Sequence, residues 1–258
     1  MTGDPPKPSS SLDEIYALLD QNRVDAAKAA QAKFHGDMEA AIATIISISS
    51  VAGARVQADS RVASAKVLID AELAATRLLA EAEMQASKCA TEVLTKPREI
   101  VESALLEIGR HTTLRLISAA KESVEKIQQD ADTAIRVLRE TGAIAIREIQ
   151  TLGANLAEQT KRDAELAAQK LKEYRERVHT PGQAMSDGED LAEIVIKAAE
   201  QASVHLQHTI SASLAKINTI TDEACDSVRE AALAAEKRIL DGQELALARL
   251  KETLQAHL

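Results

Sequence analysis

Residues 55–87 read RVQADSRVASA, KVLIDAELAAT and RLLAEAEMQAS, three consecutive copies of one eleven-residue pattern. Each copy runs basic, apolar, any, small or apolar, acidic, any, any, apolar, any, any, small. Arg55, Lys66, Arg77 and Lys88 are each followed four residues later by an acid, Asp59, Asp70, Glu81 and Glu92. That offset puts base and acid on one helix face, a turn apart. Two apolar series run in step with the charges: Val56, Val67 and Leu78, which reach back to Ile45 and on to Cys89 and Ile100, and Val62, Leu73 and Met84, which reach back to Val51. Eleven residues in three turns is about 3.67 per turn, slightly more than a straight helix, so a seam of this period drifts into a mild right-handed supercoil.

The same spacing returns twice. In a second run Val124, Ile135 and Ile146 recur beside Ile127, Leu138 and Ile149, with a stripe of small residues, Ala120, Ala131, Gly142, Gly153 and Ala164, on the same face. Small side chains let two helix backbones approach closely, a packing reason to keep glycine despite its cost of about 1 kcal/mol in a helix. In a third run Val195, Leu206, Ile217, Val228, Ile239 and Leu250 keep the period without a miss. The expected fold class is all-α: long extended helices with eleven-residue (hendecad) repeats, packed as a right-handed or nearly straight coiled coil or helical bundle, and oligomeric.

Composition points the same way. Aromatic residues make up 1% of the 258, with no Trp, and there are nine Gly and five Pro. A globular core of this size draws on large aromatic side chains, whereas Ala, Ile, Leu and Val suit close helix contacts. A net charge of −9 without clustered Lys and Arg argues against nucleic acid as a partner. Two cysteines, Cys89 and Cys225, are too few for a disulfide framework, and together with an N-terminus lacking signal-peptide character they place the expectation in the cytoplasm. The longest uncharged stretch, Ala40 to Ala54, falls short of the roughly 18–20 residues that span a bilayer and reads as a buried helix segment.

Six segments follow. Residues 1–10, rich in Pro and Ser, are expected to be disordered. Residues 11–36 read as a short helical hairpin: Ser11 and Glu14 form a capping box, and Asn22 ends a first helix before a second starts at Val24. Its Leu18, Asn22, Asp25 and Ala26 resemble half of a tetratricopeptide unit, which implies a docking element for a protein partner. Residues 37–96 form the first repeat helix and 98–178 the second, with Pro97 between them as a kink or break. Residues 179–190, with Pro181 and Gly182, are a hinge or loop, and 191–258 are the third repeat helix.

On a helical wheel of about 98° per residue the runs differ in how many faces they bury. The third has one continuous apolar sector, with Lys216, Arg238, Arg249, Glu230, Asp241 and Glu252 opposite. The first has two: Val62, Leu73, Met84, Ala58, Ile69 and Ala80 flank the charged stripe on one side, and Val56, Val67, Leu78, Ala63 and Ala74 on the other. A helix with two contact faces is not satisfied by one partner, and so belongs in a wall, tube or bundle. The expected packing seams are therefore the Val56, Val62, Val67, Leu73, Leu78 and Met84 lines of the first run, Ile135, Leu138, Gly142, Ile146, Ile149 and Gly153 of the second, and the Val195 series of the third.

No chemistry stands out. His205 and His208 have ligand-like spacing but no acidic or thiol partner nearby, so no metal and no cofactor is expected. There is no glycine-rich phosphate loop or nucleophile elbow, and the carboxylates repeat along the helices without converging, which argues against an enzyme. Three roles fit: a structural protein that self-assembles through hendecad packing into a filament, tube or scaffold; an amphipathic coat on a lipid or polymer-granule surface; and a stalk or adaptor in a larger complex. Eleven-residue amphipathic repeats resemble those of apolipoproteins, which implies the second role. Alanine-rich eleven-residue coils resemble the peripheral stalk subunits of rotary ATPases, which implies the third. The first takes precedence, because identical stripes repeating about every 16.5 Å permit staggered contacts between copies.

Overall fold

The computed structural model describes residues 11–95, 98–178 and 191–257, all of them helical: α1 (Ser11–Thr95), α2 (Arg98–Val178) and α3 (Leu191–His257). The three long helices pack together. The 1–10 segment, Pro97, and the 179–190 hinge with Pro181 and Gly182 lie outside the described residues; α1 ends at Thr95 and α2 starts at Arg98.

The helical hairpin read over 11–36 does not form, because α1 runs unbroken through Asn22 and Gly36. Asn costs well under 1 kcal/mol in a helix interior, and no proline follows to force a turn. Across this position the Gln21 side-chain amide donates to the Asp25 carboxylate one turn on, at 3.1 Å. The straight path also buries Ala27 and Phe34 beside Ala164, Leu171, Val195 and Ala199. Tertiary burial overrides the weak local stop signal.

The chain divides into two compact units, each containing part of every helix: residues 1–51 with 145–217, and residues 52–144 with 218–258. The first unit holds the Phe34 cluster just described and places Gly153 of α2 against the Ile210 side chain of α3. In the second, one core gathers Val67, Leu78, Leu116, Ile127, Ile239 and Leu250, and another gathers Val56, Ile135, Leu138, Cys225 and Val228.

Contacts within the second unit fix the helix directions. Between α1 and α3 they advance together: Ser60 Oγ donates to the Ala224 carbonyl at 2.9 Å, Ser64 Oγ to that of Ser227, and Arg238 and Arg249 pair with Glu72 and Glu83. The two helices are parallel, offset by 163–166 residues, close to a whole number of eleven-residue repeats. Between α1 and α2 they run in opposition, Lys66 with Asp130 at 3.4 Å and Glu81 with Arg115 at 2.6 Å. Helix α3 is antiparallel to α2, with Thr221 against Gly142 and Leu254 against Gly109, so the third run does fold back on the second.

Candidate interaction surface

Burial sorts the expected seams into two groups. Val56, Val67 and Leu78 of α1, Ile135, Leu138, Gly142, Ile149 and Gly153 of α2, and the whole series Val195, Leu206, Ile217, Val228, Ile239 and Leu250 of α3 are buried, with Ile146 half-buried. Val62, Leu73 and Met84 of α1 are 69%, 47% and 50% exposed. One of the two apolar flanks of α1 is thus covered by the chain's own α2 and α3, and the other is not.

The exposed flank is continuous. Ile69, 65% exposed, and the exposed Ala58 and Ala80 form a line next to Val62, Leu73 and Met84 on the wheel, diametrically opposite the buried Val67 and Leu78 line. The exposed Lys66, Arg77 and Lys88 border it toward α2, where Lys66 and Glu81 make their ion pairs; Glu72 and Glu83 border it toward α3, where Arg238 and Arg249 meet them. On α1 the alignment runs through three consecutive repeats. On α2 the exposed Leu106 and Ile117 share one line of the wheel and Ile144 and Leu166 another, with Leu114 and Val137 apart from both, and on α3 Val204, Leu233, Leu240 and Leu245 fall on four different lines. Scattered apolar residues of that kind are normal on any surface, whereas a contiguous stripe marks a contact site.

Some core positions escape the sequence reading. Leu105 and Leu116 are fully buried, as are Ala71 and Ala82 within about 1%. The spacing contains the first pair: counting back by elevens from Ile127 gives Leu116 and then Leu105. Ala71 and Ala82 lie on the line that holds Ser60, where a small polar residue masks the series.

His205 and His208 are both exposed, and among the described residues no group of three or more His, Cys, Asp and Glu is placed to hold a metal ion. Grooves run between helices: one in the first unit is lined by Ala157, Lys161, Ala164, Ile196, Ala199 and Glu200, and one in the second by Leu73, Arg77, Glu81, Glu122, Lys126 and Asp130. In the first, Glu158 at the rim is already tied to Arg162 at 2.8 Å. Cys89 and Cys225 are buried thiols, at 0% and 1% exposure.

One helix among the described residues, α1, is long and apolar enough by length and composition to cross a membrane, and 28% of the qualifying window is buried. Within the uncharged stretch Ala41, Ile45, Ser49 and Gly53 are buried while Ile46 and Val51 are exposed, so the segment read as buried is buried along one side only.

The chain matches no protein-family model and no curated protein. Among solved structures it is similar to a computationally designed three-helix bundle, at 16% identity and a TM-score of 0.57, over 94% of this chain and 99% of the other. That likeness is one of fold: three long helices packed together.

Proposed function

We propose that the protein is a non-enzymatic structural protein that self-associates through its eleven-residue helix seams into a filament, tube or scaffold. The exposed stripe Val62, Ile69, Leu73 and Met84 carries this reading, because it has the same period and composition as the seams already closed within the chain. Completing the burial of four half-exposed side chains on each of two copies contributes about 1 kcal/mol apiece. That is of the same order as the 4–15 kcal/mol that association costs in lost freedom, so the stripe supports reversible, concentration-dependent contact. Sedimentation velocity from sub-micromolar to tens of micromolar tests it. Species heavier than the 27.7 kDa monomer that grow with concentration are expected, and a stable monomer throughout contradicts the reading.

A coat on a lipid or granule surface is the second reading, favoured by one observation. From Ala40 to Val51 every exposed residue of α1, including Ala43, Ile46 and Ser47, is uncharged. Uncharged helix surface of this kind can lie at an apolar interface, although no aromatic anchors accompany it. Co-flotation with neutral liposomes supports that role, and failure to float removes it.

A further inference from the structure

We infer that the exposed stripe of α1 takes the same stripe of a second copy of this chain, antiparallel, about a twofold axis beside Leu73; this rests on the self-association just proposed and fixes its partner and direction. Direction follows from charge. In an antiparallel pair related by a twofold axis, like flanks face each other, so the basic border of one α1 lies along the basic border of its mate. That border is not uniformly basic, because each base has its acid four residues on.

Reversing the order of Asp59, Lys66, Asp70, Arg77, Glu81 and Lys88 exchanges every acid with a base. About an axis between Leu73 and Ala74, Asp59 therefore falls across from Lys88 of the second copy and Asp70 across from Arg77, while Lys66 and Glu81, which also come opposite each other, already pair within the chain with Asp130 and Arg115. The apolar lines agree with the same axis: Leu73 meets its own counterpart, Val62 meets Met84, and Ile69 meets Ala80. The three centres agree within 1.5 residues, about 2 Å along the helix. All of these positions lie within one compact unit. A parallel pair sets the basic border against the other flank instead, where Ala65, Thr76 and Ser87 carry no charge and the Glu72 and Glu83 beyond them are already met by Arg238 and Arg249.

An isologous contact of this kind closes on itself as a dimer. Growth beyond two copies then needs a different surface, which makes the α1 pair the building block of the assembly.

Cysteine cross-linking of the full chain tests the inference, since Cys89 and Cys225 are buried. Under mild oxidation Leu73→Cys is expected to link to itself, and Val62→Cys to link to Met84→Cys when the two chains are mixed. Val62→Cys alone is expected to give under a tenth of the mixed yield. Arg77→Glu should weaken the dissociation constant about tenfold, and adding Asp70→Lys to that chain should restore it. Self-linking of Val62→Cys at the mixed level, or no restoration by the swap, overturns the antiparallel pair. An oligomer in sedimentation without any of these links overturns it too, while leaving self-association standing through another face. A monomer overturns both, including one that floats with phosphatidylcholine vesicles, where lipid takes the stripe.

Discussion

The hydroxyl of Ser60 on α1 donates to the backbone carbonyl of Ala224 on α3 at 2.9 Å, with both groups buried. With the Ser64 bond to the Ser227 carbonyl one turn on, it ties two parallel helices at one register. Replacing Ser60 by Ala is expected to cost about 1 kcal/mol, the net worth of one such bond, because the carbonyl still accepts from its own helix. A urea titration followed by circular dichroism measures this. Ser60→Leu should cost more, since an overpacked seam loses about 1–3 kcal/mol.

Two glycines separate helix propensity from packing. At Gly36 an added Cβ meets nothing within 4 Å, so Gly36→Ala is expected to stabilise by about 0.5–1 kcal/mol. At Gly242 the same atom would lie 2.8 Å from the Ala75 Cβ and 3.2 Å from its Cα. A backbone neighbour cannot rotate away, so Gly242→Ala is expected to lose about 1–3 kcal/mol despite the better helix former. Thermal melts of the two variants should shift in opposite directions.

Ile239 and Leu233 offer a matched contrast on α3. Ile239 is fully buried in the Val67, Leu116 and Leu250 cluster, and Leu233 is 66% exposed. Truncating Ile239 to Ala is expected to cost about 2–5 kcal/mol, and truncating Leu233 under about 0.5 kcal/mol. Denaturant midpoints report both.

The thiols of Cys89 and Cys225 are enclosed among apolar side chains, with Cys225 Sγ 4.0 Å from the Ile135 carbonyl. A thiol so placed behaves as a small hydrophobe. Neither is expected to react with a thiol reagent on the folded chain, both should react once it is unfolded, and a non-reducing gel should show no interchain disulfide.

Part of the packing is legible in the sequence, and the Ser60 bond and the close approach at Gly242 are not. The Val195 series and the Gly142 and Gly153 stripe could be read directly, because a period of eleven can persist on one side of a helix only if something repeatedly occupies that side. The hairpin expected at Asn22 is absent: a local stop signal of under about 1 kcal/mol gives way to the burial of Ala27 and Phe34, which no local pattern reveals. The two flanks of α1 illustrate the remaining limit. Val67 and Val62 lie on equally regular series, yet the first is buried at 3% and the second 69% exposed. Periodicity tells that both flanks suit contact, and only the path of α2 and α3 decides which one the chain itself covers.

The claim that the α1 stripe holds copies together is tested most directly by light scattering after size exclusion on a Val62→Glu, Leu73→Glu variant beside a Leu114→Glu, Leu233→Glu control. Both pairs replace exposed residues, so both variants should keep their helicity. The account predicts that the stripe variant falls to the monomer mass while the control retains the mass of the unsubstituted protein at equal concentration. An unchanged mass for the stripe variant, or an equal loss in the control, would contradict it.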